Sequence, residues 1–202
     1  RLLHAADLHL DSPFSALSPE QAAQRRQEQR AMLTQLAELA NAHDCGLMLL
    51  AGDLFDSDNA YPDTVDALRR ALASCRAEVV IAPGNHDLCA PGSAYLTEDW
   101  PENVHIFTKN TPDCFEFPRL SCRVWGAAFT AAEAPALLDG FSAKRDGLLE
   151  LMVLHGDAVN AHSPYNAVTR EQIASSGLCY LAMGHIHEAS GLLRAGETFY
   201  GW

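Results

Sequence analysis

Long hydrophobic runs are missing from this sequence, and their absence argues against a transmembrane helix. The apolar stretches, of which Leu47–Ala51 and Val79–Ala82 are typical, are far shorter than the roughly 18–20 residues that a transmembrane helix needs. No basic-then-apolar leader precedes them. We therefore expect a protein that stays in the cytoplasm.

Paired cysteine motifs are also missing. Six cysteines are present, but no two of them form a C-x-x-C pair, which argues against a zinc–thiolate or redox motif. Several lie in apolar stretches, as the reduced and buried thiols of cytosolic proteins do. A disulfide or a zinc–thiolate site is the alternative to this interpretation.

Basic residues are scarce: 14 Lys and Arg stand against 26 Asp and Glu, and the net charge is −12 at pH 7. Binding to a nucleic-acid backbone usually requires a basic face, so this charge opposes it unless bound divalent cations concentrate positive charge at one place. One basic cluster, Arg25, Arg26 and Arg30, lies near the start of a predicted helix. It is either a solvated helix face or a contact for a phosphate backbone.

Internal repeats and low-complexity segments are absent as well. The chain has 202 residues, of which 48% are hydrophobic and 20% charged, a balance that favours a folded chain over a disordered one. This length predicts a single domain over residues 1–202. Because the sequence starts and ends within strand-like stretches, we expect it to be part of a longer protein.

Short apolar runs alternate with helical patterns in the first half of the sequence. Strands are predicted over Leu2–Ala6, Leu47–Ala51 and Glu78–Ala82, and helices over Glu20–His43 and roughly Thr64–Ser74. This β-α-β-α-β order predicts a largely parallel sheet.

The second half is broken by prolines into shorter elements. Before this region, an acidic loop over Ser57–Asp63 precedes the second helix. After the parallel region come three short strands, which are predicted to form a hairpin or a second sheet. The remaining predicted elements are strands over Val104–Phe107, Cys114–Phe117 and Leu120–Trp125, a short helix over Ala131–Leu138, a polar loop over Asp139–Gly147, a strand over Leu148–Leu154, a helix over Arg170–Ser176, a strand over Tyr180–Met183, and a hairpin of Leu192–Arg194 with Thr198–Tyr200.

Polar side chains follow five of the predicted strands at the point where each strand ends. Open α/β sheets bind ligands at the carboxyl ends of their strands, and alternation along an extended chain puts Asp7 and His9 on one side, and His185 and His187 likewise. Any one of these groups is ordinary by itself, but together they predict a common site. The groups are Asp7, His9, Asp53, Asn85, His155, His185 and His187, with His86 and Asp87 beside them.

Seven candidate ligands are too many for one four-coordinate ion and suit two divalent ions that share a bridging carboxylate. Mixed Asp, Asn and His ligands without a thiolate disfavour a structural zinc site. They suit Mn²⁺, Fe²⁺ or a catalytic Zn²⁺, and the imidazoles make Mg²⁺ a poorer match. Two ions, with Mn²⁺ the first choice, are therefore the predicted cofactors.

These motifs resemble those of the calcineurin-like metallophosphoesterase family. The matching motifs occur in family order and are Asp7-x-His9, Gly52-Asp53-x-x-Asp56, Gly84-Asn85-His86-Asp87, His155-Gly156 and Gly184-His185-x-His187. The longer strings over residues 4–14 and 52–56 are similar to one branch, the bacterial DNA repair exonucleases of the SbcD and YhaO type. The resemblance covers nearly the whole chain. It implies an α/β fold, specifically a four-layer α-β-β-α sandwich with a mixed, largely parallel core sheet.

The resemblance also implies a role for each site residue. The implied ligands are Asp7, His9 and His187 for one ion, Asn85, His155 and His185 for the other, and Asp53 as the bridge. His86 would protonate the leaving oxygen instead of binding metal. Asp87 would orient His86, and Asp56 would orient the turn that carries Asp53.

The implied reaction is hydrolysis of DNA phosphodiester bonds by a hydroxide that bridges the two ions, as in a DNA repair exonuclease or endonuclease. The branch implies an SMC-like ATPase partner, leaves a homodimer open, and usually continues into a C-terminal capping region that this sequence does not reach. One alternative is a phosphodiesterase or phosphatase for a small molecule such as a cyclic nucleotide, which the acidic charge favours. Another is a non-catalytic, metal-stabilised interaction module, against which the complete ligand set argues.

Overall fold

Ten strands, four α-helices and one 3-10 helical turn (Pro118–Leu120) make up the regular structure of the described residues, 1–57 and 60–202, in the computed structural model. The strands are β1 (Leu2–Ala5), β2 (Leu47–Leu50), β3 (Glu78–Ile81), β4 (Val104–Ile106), β5 (Asp113–Phe117), β6 (Cys122–Gly126), β7 (Leu149–His155), β8 (Tyr180–Gly184), β9 (Leu193–Ala195) and β10 (Thr198–Gly201). The helices are α1 (Pro19–Ala42), α2 (Pro62–Ser74), α3 (Ala94–Thr97) and α4 (Arg170–Ser175).

The strands form two sheets, which confirms the predicted α/β fold. The first sheet has the order β1-β2-β3-β4 and is parallel throughout. The second has the order β5-β6-β7-β8-β10-β9, with antiparallel pairs at its two edges and parallel pairs between them. The β-α-β-α-β rhythm describes β1 to β3 of the first sheet. Of the three short strands predicted to form a hairpin or a second sheet, only the last two do so, as the β5–β6 hairpin, whereas Val104–Ile106 joins the first sheet as β4. The predicted final hairpin is β9–β10, at the other edge of the second sheet.

Hydrophobic side chains hold the layers together. The fully buried strand β2 shares one core with Val153 and Ala182 of the second sheet and with Leu33 of α1. Met152 alternates with its neighbours and points to the other face of the second sheet, where it packs in a second core with Ile173 of α4. The resulting order, helices, sheet, sheet, helix, is the four-layer sandwich that the resemblance implies.

Helix α1 begins where the sequence places a helix start. Ser18 caps it by accepting a hydrogen bond from the Gln21 N–H at 3.3 Å, the Gln21 side chain accepts one from the Ser18 N–H in return, and Pro19 occupies the first turn. The acidic loop before α2 lies only partly within the described residues, because positions 58 and 59 fall outside them. No helix of residues 1–57 and 60–202 combines the length and hydrophobicity that a membrane crossing requires.

The predicted helix over Ala131–Leu138 is wrong. This segment forms turns and one isolated bridge, between Ala134 and Tyr165. Pro135 lacks a backbone N–H, and the backbone groups of Ala134 bond across to Pro164 (3.0 Å) and Asn166 (2.9 Å). Bonds to a distant segment therefore replace those that a helix would have formed. Helix α3 is one short turn that the sequence did not reveal.

The parallel register gathers the strand ends at one edge of the sandwich. Ala5 pairs with Leu50, which pairs with Ile81, so β1, β2 and β3 end side by side. In the second sheet His155, the last residue of β7, pairs with Gly184, the last residue of β8. The polar residues at and beyond these ends therefore lie at one place.

Candidate metal centre

Glycines allow two close approaches at this edge, one between the two sheets and one within the first sheet. A side chain on Gly184 would lie 2.1 Å from the carbonyl oxygen of Ala51, at the end of the opposite sheet. A side chain on Gly84 would lie 2.2 Å from a carboxylate oxygen of Asp53. Neither approach leaves room for a Cβ atom, so glycine is required at both positions.

Four of the candidate ligands have a left-handed backbone, which non-glycine residues rarely adopt. The φ angles are 54° at Asp7, 43° at His9, 51° at Asp53 and 102° at His185. Each such residue costs about 1–3 kcal/mol, and such residues cluster at functional sites. Asp7 and His9 are thus not in an extended segment, and strand alternation does not set the direction of their side chains. Their side chains converge instead because tight turns, held by bonds from their N–H groups to Gly52 and Asp53 (3.0 Å each), redirect them.

Asp7, His9 and His187 form the first cluster of ligand atoms. The Nε2 atoms of His9 and His187 are 3.1 Å apart, and Asp7 Oδ1 is 3.9 Å from His187 Nε2. One ligand atom from each of the three side chains lies within 4.8 Å of the other two. This spacing lets all three contact one ion.

Asn85, His155 and His185 form the second cluster. Asn85 Oδ1 lies 2.9 Å from His155 Nε2 and 3.1 Å from His185 Nδ1. His185 and His187 therefore serve different clusters, although alternation placed them on one side. The His185 backbone N–H donates to both Asp7 carboxylate oxygens at 3.0 Å, which ties the two clusters together.

Asp53 lies between the clusters. Its Oδ2 is 3.8 Å from His9 Nε2 and 3.3 Å from His155 Nε2, and its Oδ1 accepts a hydrogen bond from the His86 N–H at 2.9 Å. The side chain is almost completely buried. A carboxylate in this position can contact an ion in each cluster.

The hydrogen bonds behind the imidazoles show that a cation fits among them. His155 Nδ1 bonds to the carbonyl oxygen of Ala51 at 2.9 Å, and a carbonyl can only accept. In a neutral His155 ring the proton is thus on Nδ1, so Nε2 directs a lone pair at the oxygens of Asp53 and Asn85. Acceptor atoms that face one another need a proton or a metal ion between them, and Asp, Asn and His are ligands of divalent metals.

The pKa values of the clustered side chains are shifted by burial and by their neighbours. Burial is the largest single effect on His155 and lowers its pKa, but the hydrogen bond and charge of Asp53, the Ala51 carbonyl and the charge of Asp7 together outweigh burial, so the net shift is upward. Burial is the largest single effect on Asp53 and raises its pKa, but the hydrogen bond and charge of His155 and those of His86 together outweigh burial, so the net shift is downward. Burial and the charge of His155 lower the pKa of His185, and burial raises that of Asp7. The site therefore holds ionised Asp53 against imidazole, an arrangement that favours positive charge between them.

Asp56 and Asp87 support the site differently from what the resemblance implies. Asp56 Oδ1 bonds to His9 Nδ1 at 2.9 Å, so it orients His9. The buried Asp87 carboxylate does not orient the His86 ring. It accepts hydrogen bonds from the N–H groups of Asp53 (3.2 Å), Leu54, Phe55 and Gly84 (2.7 Å) and from the Tyr95 hydroxyl (2.5 Å). Asp87 thus fixes the turn that carries Asp53. Burial and the Asp53 charge raise the pKa of Asp87 to about 6.

His86 is exposed at the rim of the site. Its ring centroid is 5.0 Å from that of His9, and its Nδ1 is 3.4 Å from the carbonyl oxygen of Asp56. His9, Asp56 and His86 also form a group of ligand atoms within 4.8 Å of one another. The geometry thus allows His86 either to exchange a proton with a substrate or to contact an ion.

Asn166 is a supporting residue that sequence reasoning missed. It is fully buried, it has a φ of 49°, and its side chain donates to the His155 carbonyl (2.8 Å) and accepts from the Leu137 N–H (2.8 Å). It therefore fastens the end of β7 to the turns over residues 131–140. An asparagine in a loop gives no sequence signal for such a role.

Parallel strands whose ends bear paired clusters of Asp, Asn and His define a metallohydrolase class of fold and site. Comparison with known proteins makes this specific, since the pattern of the calcineurin-like phosphoesterase family matches residues 1–189. The chain belongs to this family, whose members typically bind two divalent metal ions and hydrolyse phosphate esters.

Two relatives place the chain more closely. It is 34% identical over 198 residues to the Bacillus subtilis protein described as uncharacterized metallophosphoesterase YhaO, and the match covers 92% of this chain and 48% of that protein. It is 35% identical over 92 residues to the SbcD component of nuclease SbcCD from Rhodobacter capsulatus, and this match covers 43% of this chain and 21% of that one. The chain thus spans about half the length, or less, of these relatives.

Solved structures share the fold at low sequence identity. One crystal structure superimposes with a TM-score of 0.59 at 12% identity and covers 84% of each chain. Another, of TT1561 of Thermus thermophilus, gives a TM-score of 0.51 at 10% identity and covers 84% of this chain and 81% of that one. At these identities the likeness concerns the architecture alone.

Proposed function

We propose that this chain hydrolyses phosphodiester bonds of DNA at a centre of two divalent metal ions. The observation that carries the proposal is the position of Asp53 Oδ2 between His9 Nε2 (3.8 Å) and His155 Nε2 (3.3 Å), with further ligand atoms on either side. The proposed ligands are Asp7, His9 and His187 for one ion, Asn85, His155 and His185 for the other, and Asp53 for both.

The residues divide the chemical work among them. Bound divalent ions supply a nucleophilic water at neutral pH and polarise the phosphate oxygens. Asp53 and Asp7 provide the negative charge that holds cations at the site. His86 stands outside both ligand sets, on the solvent side, where it can donate a proton to the oxygen that leaves phosphorus. Asp87 keeps Asp53 in place through the N–H groups of its turn.

Mn²⁺ is the proposed ion, with Fe²⁺ and Zn²⁺ as alternatives. A mixed set of carboxylate, amide and imidazole ligands without thiolate suits these ions better than Mg²⁺, which prefers oxygen ligands. The proposed place of action is the cytoplasm, in DNA repair. An SMC-like ATPase is the proposed partner, and a homodimer is a further hypothesis to test.

DNA is favoured as substrate by the similarity to a component of a nuclease and by the extended motif strings over residues 4–14 and 52–56. The net charge of −12 favours a small-molecule phosphoester instead. Bound cations weaken that objection, because they concentrate positive charge at the strand ends.

A paired assay decides between these substrates. Single-stranded DNA and bis(p-nitrophenyl) phosphate are incubated with the chain and Mn²⁺ at low salt, and D53N is the matched inactive variant. Cleavage of DNA by the wild type but not by D53N supports the proposal. Hydrolysis of the chromogenic diester with intact DNA replaces it by the small-molecule function, and no hydrolysis of either substrate overturns both.

A further inference from the structure

The loop that carries His9 is fastened to helix α1 by the side chain of Gln29. Gln29 Nε2 donates hydrogen bonds to the carbonyl oxygens of Leu8 (3.3 Å) and His9 (3.1 Å). These two carbonyls lie on either side of the left-handed His9. We infer that Gln29 is a positioning residue that sets the direction of His9 toward the candidate metal site. The inference rests on the proposed function.

The backbone of this loop needs an external restraint. His9, Asp11 and Phe14 all have left-handed φ angles, of 43°, 67° and 48°. Such conformations persist only where the surroundings hold them. The His9 carbonyl also accepts bonds from the Ser12 hydroxyl (2.8 Å) and N–H (3.2 Å), which are local to the loop, whereas Gln29 comes from a separate element.

Helix α1 is rigid enough to act as the anchor. Its capped start and its core residues, such as Leu33 and Ala37, hold it against the first sheet. Arg30, which follows Gln29 on α1, lies 3.6 Å from the carboxylate of Asp11. The same carboxylate accepts a hydrogen bond from Thr64 Oγ1 at 2.6 Å. Consecutive helix positions therefore hold the loop at two points.

The other end of the Gln29 amide argues for a role beyond stability. Its Oε1 atom is buried and accepts no hydrogen bond from any residue in the described part of the chain. A buried acceptor without a partner is unfavourable, and local rules of this kind are broken mainly at functional sites. If the amide were rotated, Oε1 would face the carbonyl oxygens of Leu8 and His9, and these three acceptors would repel one another. The amide therefore keeps the orientation in which Nε2 donates to both carbonyls.

The test is Mn²⁺ binding by Q29M, which keeps the length of the side chain and removes its donor. Titration calorimetry on the wild type should show two ions. In Q29M one of them should bind about 10–100-fold more weakly, the usual effect of losing a group that orients a ligand. The melting temperature of the metal-free variant should fall by only about 2–4 °C. Q27M, at an exposed position two residues earlier on α1, is the matched control and should bind Mn²⁺ as the wild type does.

A second comparison separates positioning from general loosening. H187A removes a ligand from the same cluster as His9, so the ion that still binds is the one held by the second cluster. The double variant Q29M/H187A should therefore bind this remaining ion as tightly as H187A does. Equal Mn²⁺ affinities in Q29M and the wild type would overturn the inference, as would an equal loss at both ions. If Q29M does not fold, Q29E is measured instead, and unfolding of both variants would also contradict a role confined to the His9 loop. A wild type that binds no Mn²⁺ would refute the proposed function itself.

Discussion

The Nε2 atoms of His9 and His187 lie 3.1 Å apart although 178 positions separate the two residues in the sequence. His9 Nδ1 bonds to the Asp56 carboxylate, so a neutral His9 directs the lone pair of Nε2 toward His187. Two imidazoles that meet in this way share either a proton or a metal ion. The contact joins the first and last thirds of the chain at the proposed site.

His86 is expected to act on the leaving oxygen and not on the ions. H86N should lower turnover of a diester with an alcohol leaving group by about 10²–10⁴-fold, the usual contribution of a general acid. The loss should be much smaller with p-nitrophenyl leaving groups, because nitrophenolate departs without a proton. Steady-state assays with both substrates measure the difference.

Mn²⁺ titration of H86N provides the control for that experiment. The variant should bind both ions as the wild type does. Loss of one ion would instead make His86 a ligand, as its group with His9 and Asp56 permits. Unchanged turnover with the alcohol leaving group would refute the proton-donor role.

Asp87 should matter for stability more than its place in the motif suggests. D87N replaces a buried carboxylate oxygen, which accepts N–H bonds or the Tyr95 hydroxyl, by a group that cannot accept. Hydrogen bonds to charged groups are worth about 1.5–3 kcal/mol each, so we expect D87N to lose about 2–4 kcal/mol and Y95F about half as much. Urea denaturation in EDTA measures both, with the exposed D139N as control. Equal stability of D87N and D139N would contradict the anchoring role.

Asn166 offers a test that separates hydrogen bonding from backbone strain. N166G removes both side-chain bonds, to His155 and Leu137, but tolerates the φ of 49°. N166A removes the same bonds and adds the cost of a left-handed alanine, about 1–2 kcal/mol. We therefore expect both variants to be less stable than the wild type, with N166A the less stable of the two. If N166G had the same denaturation midpoint as the wild type, the hydrogen bond from Asn166 to the His155 carbonyl would not contribute to stability, and the prediction would be wrong.

His4 should make stability depend on pH. Burial lowers its pKa, and its nitrogens are engaged by the Tyr180 hydroxyl (2.9 Å) and the Met183 carbonyl (2.9 Å). Below the unfolded pKa of about 6.5 the unfolded chain binds a proton that the folded His4 resists, so stability falls as the pH drops. Between pH 7.5 and 5.5 the melting temperature of the metal-free wild type should fall by more than that of H4Q, because H4Q lacks the titrating imidazole. Parallel losses in the two proteins would contradict the prediction.

The fold was predictable because parallel strands give a strong pattern. Short apolar runs such as Leu47–Leu50, separated by helical periods, left little choice of topology for the first sheet. The segment over Ala131–Leu138 was not predictable, because Ala134 bonds to residues about thirty positions away and local propensity carries no trace of that pairing.

The candidate site was predictable as a set of residues but not as a geometry. The ends of parallel strands meet at one edge whatever the turns do, so Asp53 and His155 could be grouped from sequence. The directions of the Asp7 and His9 side chains could not be predicted, since they depend on left-handed turns that only tertiary contacts stabilise. For the same reason the partners of Asp87, the amide of Asn166 and the reach of Gln29 became visible only in three dimensions.

An anomalous difference map from crystals grown with Mn²⁺ tests the central claim most directly. The account predicts two peaks about 3.5–4 Å apart, the spacing of paired catalytic ions, on either side of Asp53 Oδ2. One should lie among Asp7, His9 and His187 and the other among Asn85, His155 and His185. A map with no peak at these strand ends, at Mn²⁺ concentrations that support turnover, would contradict it.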